Sequence, residues 1–515
     1  TTGADVDDVT LTIARAKAEN VQGEIFEYIM ENAIAKGNNT FYASLQEAII
    51  AAAPAGTVDI LANVTVDEWI MIATNLTMGD GTIITLDING MTWGTTKNEP
   101  IEGVYQRCMF IVALTNEYLK NIPNAPDEVN KEQFTAEARF CRALAYYTLM
   151  DMFGIPPFIT EQNYSINPIQ KSRIELFDWI ENELLSIKQA LPSSQQGEYG
   201  RADQAVVDAL LARMYLNAEV YTGTERYTDC ISACKRVIAG GYSLAENYAQ
   251  LFMADNGQNP LANCEIIFPI CFDGSSTQSY GMAAVILGSR SSSEFAEVPA
   301  GIGGGWDGFR GTPQLVHMFQ YQDNENPQAN EILDRRGIFF DKNRSIDITT
   351  SVTGTFTTEG WAVYKYTNLK SDGEAGKNST FPDTDFPMFR LGDIYLMYAE
   401  SVARGGQGGD IGTAVNYINA LRQRAYGDTF HNITESWLYE NNLQNILDER
   451  CRELYWEGVR RTDLIRYGFY TSPNYLWTFK GGVLNGVGVD NRYNVFPIPT
   501  TDMSVNGNLK QNEGY

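Results

Sequence analysis

DERCRELYWEGVRRTDLIRYG, residues 448–468, is the stretch around which the rest of the chain is organised. Leu447, Leu454, Tyr455, Val459 and Leu464 fall near helical spacing, while Glu449, Arg450, Arg452, Glu453, Arg460, Arg461, Asp463 and Arg466 crowd between them. The spacing predicts one helix over 440–467 with a single buried stripe. Acids and bases three and four residues apart predict intrahelical ion pairs on a solvated face. No chemistry follows from that pattern alone.

Working outward, helical text dominates from residue 101, with runs at 130–153, 173–191, 202–219, 227–240, 392–404 and 409–425. Gly154 and Pro156-Pro157 stop the second run. Ala138, Ala145, Ala209 and Ala212 occupy close-contact positions, which suits tetratricopeptide-like helix pairs. Between the helical blocks, 260–385 is rich in Gly, Ser and Thr and carries EIIFPICF (265–272), GGGWDGFRG (303–311) and SVTGTFTTEGWAVYKY (351–366). So long a non-helical insert on a rigid scaffold is where a binding surface is expected.

The 448–468 stretch, with Ile446-Leu447 before it, closely resembles the signature helix of the SusD/RagB family of outer-membrane glycan-binding lipoproteins. Four further segments resemble that family in the right order: 136–160, 200–223, 386–406 and 494–515. Within the family the chain looks nearest to the starch-binding founder member, through LFMADN (251–256), SYG (279–281), FPDTDFP (381–387) and YLWTFKGG (475–482). The resemblance implies a mainly α fold of tetratricopeptide-like pairs with a large loop-rich insert and few short strands. Its division would be an N-terminal segment 1–100, a helical block 101–259, a glycan-binding region 260–385 and a second helical block 386–515.

The N-terminal segment reads differently. Residues 11–37 predict a helix with Gly37 as its C-cap, and 42–93 predict one short helix followed by short β-branched strands broken at Asn and Gly. This part resembles the opening coils of right-handed β-helix proteins more than the SusD/RagB pattern.

The chain has 515 residues, 44% of them hydrophobic, enough for a substantial core. Its 38 basic and 64 acidic residues leave a net charge of −26, which opposes binding to nucleic acid or to an anionic membrane by bulk charge. The expected ligand is neutral or local in its contacts, and 28 Tyr and 8 Trp suit stacking on sugar rings. Seven cysteines include no CxxC pair; Cys230 and Cys234 have a spacing that permits two metal ligands, without a His or second pair beside them. No cofactor or metal is expected, and no pattern calls for a structural calcium. No apolar run reaches the roughly 18 residues of a membrane-spanning helix. The resemblance implies a lipid anchor on a precursor segment outside this chain, and a place on the extracellular face of the outer membrane.

Catalytic residues are not expected. His317 and His431 neighbour no nucleophile motif, the Asp383-Thr384-Asp385 pair is too common a pattern, and GIGGGWDG (301–308) lacks the Lys of a phosphate loop. That glycine-rich run instead reads as an exposed turn presenting Trp306. A pyranose offers an apolar C–H face to such a ring, with flanking amides taking its hydroxyls. The resemblance implies an arc of aromatic rings following a helical glucan, and local matching assigns Tyr280 and Trp306 to it. Each ring's alternative is to pack beneath its own loop. The N-terminal contacts of the arc would come from Trp69, Asn75, Trp93 and Asn98, which follow the Asp67-Glu68 pair. The expected function is non-enzymatic binding of starch, maltooligosaccharide or a related α-glucan, as the lid of a SusC-like TonB-dependent transporter. A surface glycoside hydrolase and a repeat scaffold without a sugar site are the alternatives.

Overall fold

The computed structural model describes residues 35–37, 40–42, 58–60 and 91–515, apart from 92, 96–98, 128, 307 and 351–354. Helices make up the body: α1 (Glu99–Asn121), α2 (Lys131–Phe153), α3 (Arg173–Ile187), α4 (Gln204–Leu216) and α5 (Tyr227–Ile238) precede the insert. Within the insert lies α6 (Ala283–Gly288), and after it come α7 (Leu391–Ala403), α8 (Ile411–Tyr426), α9 (Gln444–Leu454) and α10 (Arg460–Arg466). Their ends follow local chemistry. Asn130, Asp203 and Asp410 accept hydrogen bonds from the first-turn amides of α2, α4 and α8, and Ser172 with Glu175 forms a capping box on α3. Packing runs α1 on α2, α2 on α3, α4 on α5, α5 on α7 and α7 on α8, so the two helical blocks meet at the α5–α7 contact. One contiguous apolar core extends from Met91 to Leu509.

Two short strands close the mouth of the insert. Strand β4 (Ile266–Ile270) pairs antiparallel with β7 (Phe386–Arg390), Ile266 opposite Arg390 and Ile270 opposite Phe386, and β7 runs straight into α7. Everything between is looped out from this buried ribbon, where β5 (Phe339–Phe340) and β6 (Ala362–Val363) make a second pair.

The N-terminal reading is partly corrected. Ala35–Gly37 (β1) pairs antiparallel with Thr40–Tyr42 (β2) and with Val58–Ile60 (β3). Gly37 therefore sits in a strand rather than capping a helix, and Tyr42 is β-sheet rather than the start of a short helix. The remaining residues of the helix expected over 11–37 lie outside the described residues, as do most of 42–93.

The 448–468 stretch is corrected twice. It is not one helix: α9 stops at Leu454, a turn with Trp456 (φ 62°) and Gly458 (φ 76°) follows, and α10 starts at Arg460. The break is tertiary in origin. Arg390 donates to the Glu453 carbonyl (2.7 Å) and to both carboxylate oxygens of Glu457, Lys365 donates to the Tyr455 carbonyl and to Glu457 (2.6 Å), and the Tyr366 hydroxyl donates to the Trp456 carbonyl (3.0 Å). These bonds satisfy the Glu453 carbonyl in the last turn of α9 and the Tyr455 and Trp456 carbonyls of the turn that follows.

Nor is the charged face solvated. Glu449, Arg450, Glu453, Arg461 and Asp463 are all buried, because α9 and α10 lie inside the molecule and meet opposite charges from distant segments. Arg336 bonds Glu449 at 2.8 Å and Glu453 at 3.1 Å, Arg390 bonds Glu265 and Glu453, Arg424 bonds the same two acids, and Arg450 bonds Asp393 and Asp463. A buried charge without its partner is costly, so the network holds together or fails together.

Candidate functional site

The loops of the insert have little regular structure, and buried side chains do the fastening. Asp385 accepts the Phe272 amide at 2.7 Å and the Tyr199 hydroxyl at 3.1 Å, while Asn256 bonds the Asp385 amide and carbonyl. Two residues earlier, Asp383 accepts the Gly274 amide at 2.9 Å. Asn368 donates to the Gly301 carbonyl (2.8 Å) and the Asn378 carbonyl (3.1 Å), and its side-chain oxygen accepts the Asp383 amide. The Gly303 amide donates to the Ser379 carbonyl at 2.7 Å. Segments 271–281 and 301–306 are thereby tied to a single strip, 378–385.

Three aromatic side chains stand on this frame. Tyr280 is 57% exposed and Trp306 is 55% exposed. The third is Phe381, partly buried, whose ring centre lies 5.3 Å from that of Tyr280 at a 60° tilt. Trp306 is held through its backbone: its amide donates to the Leu287 carbonyl at 3.0 Å, and the Phe309 amide to the Gly288 carbonyl at 2.7 Å. Gly305 is required by close approach, since a Cβ there would stand 2.7 Å from the Arg290 carbonyl oxygen. Beside Tyr280, the exposed Ser275, Ser276, Thr277 and Gln278 line a turn stabilised by Asp273, which accepts the Ser275 and Ser276 amides. The Lys377 ammonium and the Ser276 amide hold the Asp273 carboxyl down at about 2, so the turn keeps its anion at neutral pH. Apolar ring faces next to exposed hydroxyls and an amide are chemically suited to a neutral sugar. Among the described residues no group of three or more His, Cys, Asp and Glu is placed to hold a metal.

The sequence-predicted residues divide into three groups. Tyr280 and Trp306 are exposed on loops sharing one frame. Trp93 is a correction: it is 2% exposed, packs edge-on against Tyr493 at 4.9 Å and tilted against Phe496 at 4.8 Å, and donates to the Tyr515 hydroxyl at 2.7 Å. It is a core ring joining the start of the helical body to the C-terminal tail, because the tail folds back over it. Trp69, Asn75 and Asn98 lie outside the described residues. Sequence reasoning missed Phe381, and it set Asp383 and Asp385 aside as an undiagnostic pair. The alternation of Asp with Pro and Phe in FPDTDFP was the available signal of a fastened loop.

Residues 343–515 match the model of the SusD family, and residues 32–216 match one described as "Starch-binding associating with outer membrane". The starch-binding protein SusD of Bacteroides thetaiotaomicron is 35% identical over 465 residues, covering 83% of this chain and 81% of that protein. The chain belongs to the SusD family. Solved structures with the SusD fold superpose over most of its length. A SusD superfamily protein of Parabacteroides distasonis does so with a TM-score of 0.67 at 21% identity, covering 86% of this chain and 93% of that one. A SusD-like carbohydrate binding protein of Bacteroides fragilis gives 0.66 at 19% identity, covering 86% and 92%. The insert loops described above are thus carried on a SusD-type helical scaffold.

Proposed function

We propose that this protein binds an α-glucan such as starch or a maltooligosaccharide at the bacterial surface. It is a binding protein of the outer membrane and not an enzyme. The observation that carries the glycan reading is the pairing of two rings, Tyr280 and Trp306, each more than half exposed on loops that buried Asp383, Asp385 and Asn368 fasten to one strip. Preformed rings meet a sugar with little ordering cost, and neutrality of the ligand removes the penalty that a net charge of −26 would impose on an anion. The α-glucan assignment draws on the starch-binding relative, at 35% identity. In the same reading the protein is lipid-anchored on the extracellular face and closes over a SusC-like TonB-dependent transporter, delivering bound glycan to its lumen.

Titration calorimetry with maltoheptaose tests the binding reading, with reducing ends followed in parallel. Binding without new reducing ends is expected. Trp306→Ala is expected to weaken it by roughly 1–3 kcal/mol, the scale of stacking a flat ring on an aromatic face, with Tm nearly unchanged. Unaltered affinity in that variant would move the site elsewhere. For the partner, extraction from the native outer membrane in mild detergent is expected to bring down a large β-barrel. Recovery as a free monomer across several detergents would refute the lid.

A further inference from the structure

From the turn Tyr455–Gly458 between α9 and α10, part of the most distinctive motif of the sequence, contacts lead to the Trp306 loop. The Trp456 carbonyl accepts the Tyr366 hydroxyl at 3.0 Å. The Tyr366 carbonyl in turn accepts Nη1 of Arg290 at 3.2 Å. The same nitrogen donates to the Ile286 carbonyl at 3.1 Å, one residue before Leu287, whose carbonyl receives the Trp306 amide. The Trp456 ring also lies 6.3 Å, edge-on, from Phe309, whose amide bonds Gly288.

Arg290 is an unusual fastener. It is 2% exposed, its guanidinium lies 4.0 Å from the Tyr364 ring centre, and it donates to the backbone carbonyls of Ile286 and Tyr366. Glu294, whose charge it feels, is bonded by Arg344 at 2.7 Å. Burial pushes Arg290 down to about 10, which leaves it charged at neutral pH. A buried cation that bonds carbonyls rather than a carboxylate is a poor way to gain stability. It is a good way to hold two backbone segments at fixed separation, because the one nitrogen Nη1 donates to a carbonyl of each. The Gly305 backbone rests directly on the Arg290 carbonyl, so displacement of residue 290 is passed to residue 306.

We propose that Arg290 is a positioning residue for the glycan platform, through which the Tyr455–Gly458 turn sets the orientation of Trp306. The inference rests on the reading of Trp306 as the ligand platform. It assigns the signature turn a part in ligand affinity as well as in folding.

Two variants isolate the relay. Tyr366→Phe deletes only the hydroxyl that reaches the Trp456 carbonyl, and Arg290→Gln removes the charged group that bridges the two carbonyls, with Arg290→Lys as the conservative replacement. Each is made alone and together with Trp306→Ala, and maltoheptaose affinity is measured by calorimetry on protein shown to be folded. Tyr366→Phe and Arg290→Gln are each expected to weaken affinity by roughly threefold to thirtyfold, with partial recovery in Arg290→Lys. In the Trp306→Ala background the loss is expected to vanish, because the relay acts only through that ring. A merely structural role would lower Tm and leave the same fold-loss in both backgrounds, which would overturn the proposal. A second readout does not need the sugar. In 5-fluorotryptophan-labelled protein the Trp306 fluorine resonance, assigned with Trp306→Phe, is expected to shift or split in Tyr366→Phe. An unmoved resonance in both variants overturns the relay. A moved resonance in a protein that fails to bind maltoheptaose supports the relay and refutes the α-glucan reading.

Discussion

Trp306 and Trp93 both stand beside glycine in the sequence, and their surroundings give them opposite roles. Gly303, Gly304 and Gly305 offer Trp306 no side chains to lie under, and it is exposed. That much was readable from local text. Trp93 is covered by Tyr493, Phe496 and Tyr515, about 400 positions away, and no local pattern announces them. Trp93→Ala is expected to cost about 3–5 kcal/mol of folding free energy, as for other buried large rings. A thermal melt measures it, and maltoheptaose affinity of the folded fraction is expected to match that of the unsubstituted protein. A melt within a degree of the unsubstituted protein would show that Trp93 is not the core ring described.

Among the elements, the α9–α10 break shows why helical spacing misled. Leu454, Tyr455, Val459 and Leu464 stay near a helical period straight through the turn, so the pattern predicts continuity. Arg390 and Lys365 bond Glu457 beyond the end of α9, and the chain turns with Trp456 and Gly458 at positive φ. Gly458→Ala would place a Cβ in the left-handed region and is expected to lower stability by roughly 1–2 kcal/mol, measured by denaturant midpoint at unchanged slope. An unchanged midpoint would mean that the turn relaxes freely. By contrast the insert's non-helical character was readable, since its Gly, Ser and Thr content and its lack of period leave no helix to predict. Its fastening was not, because Asp383, Asp385 and Asn368 act on amides and carbonyls that can belong to any residue.

Across the whole molecule the buried ion network links α7, α8, α9, α10, β7 and Glu265, just before β4, into one unit. Burial alone would push the Glu400 carboxyl up, but the guanidiniums of Arg466 and Arg404 outweigh it and hold the group at about 2, below its ordinary 4.5. Glu449 and Glu453 are held lower still, by Arg336, Arg452 and Arg422 around the first and Arg424, Arg390 and Arg336 around the second, each against the opposing effect of burial. A folded value below the unfolded one means that the unfolded chain takes up protons first as pH falls. The stabilisation is therefore complete above about 4.5 and drains between there and about 2. Tm measured across that interval is expected to fall steeply. Glu400→Gln is expected to lower Tm at pH 7 and to flatten the fall, and an equally steep fall in the variant would remove Glu400 from the account.

What the sequence determined by itself was whatever local chemistry encodes. The helical blocks on either side of a loop-rich insert follow from periodicity and caps, and the exposed Trp306 follows from its glycines. Motifs in the right order also placed the chain among its relatives. Only the tertiary structure decided which charges are buried, where α9 ends, that Trp93 is core, and that Tyr280, Phe381 and Trp306 stand on one frame. Each of these depends on groups far apart in the chain. A carboxylate reads the same in water or in a closed network, and an aromatic ring reads the same under a tail or in the open, until folding brings its partners to it.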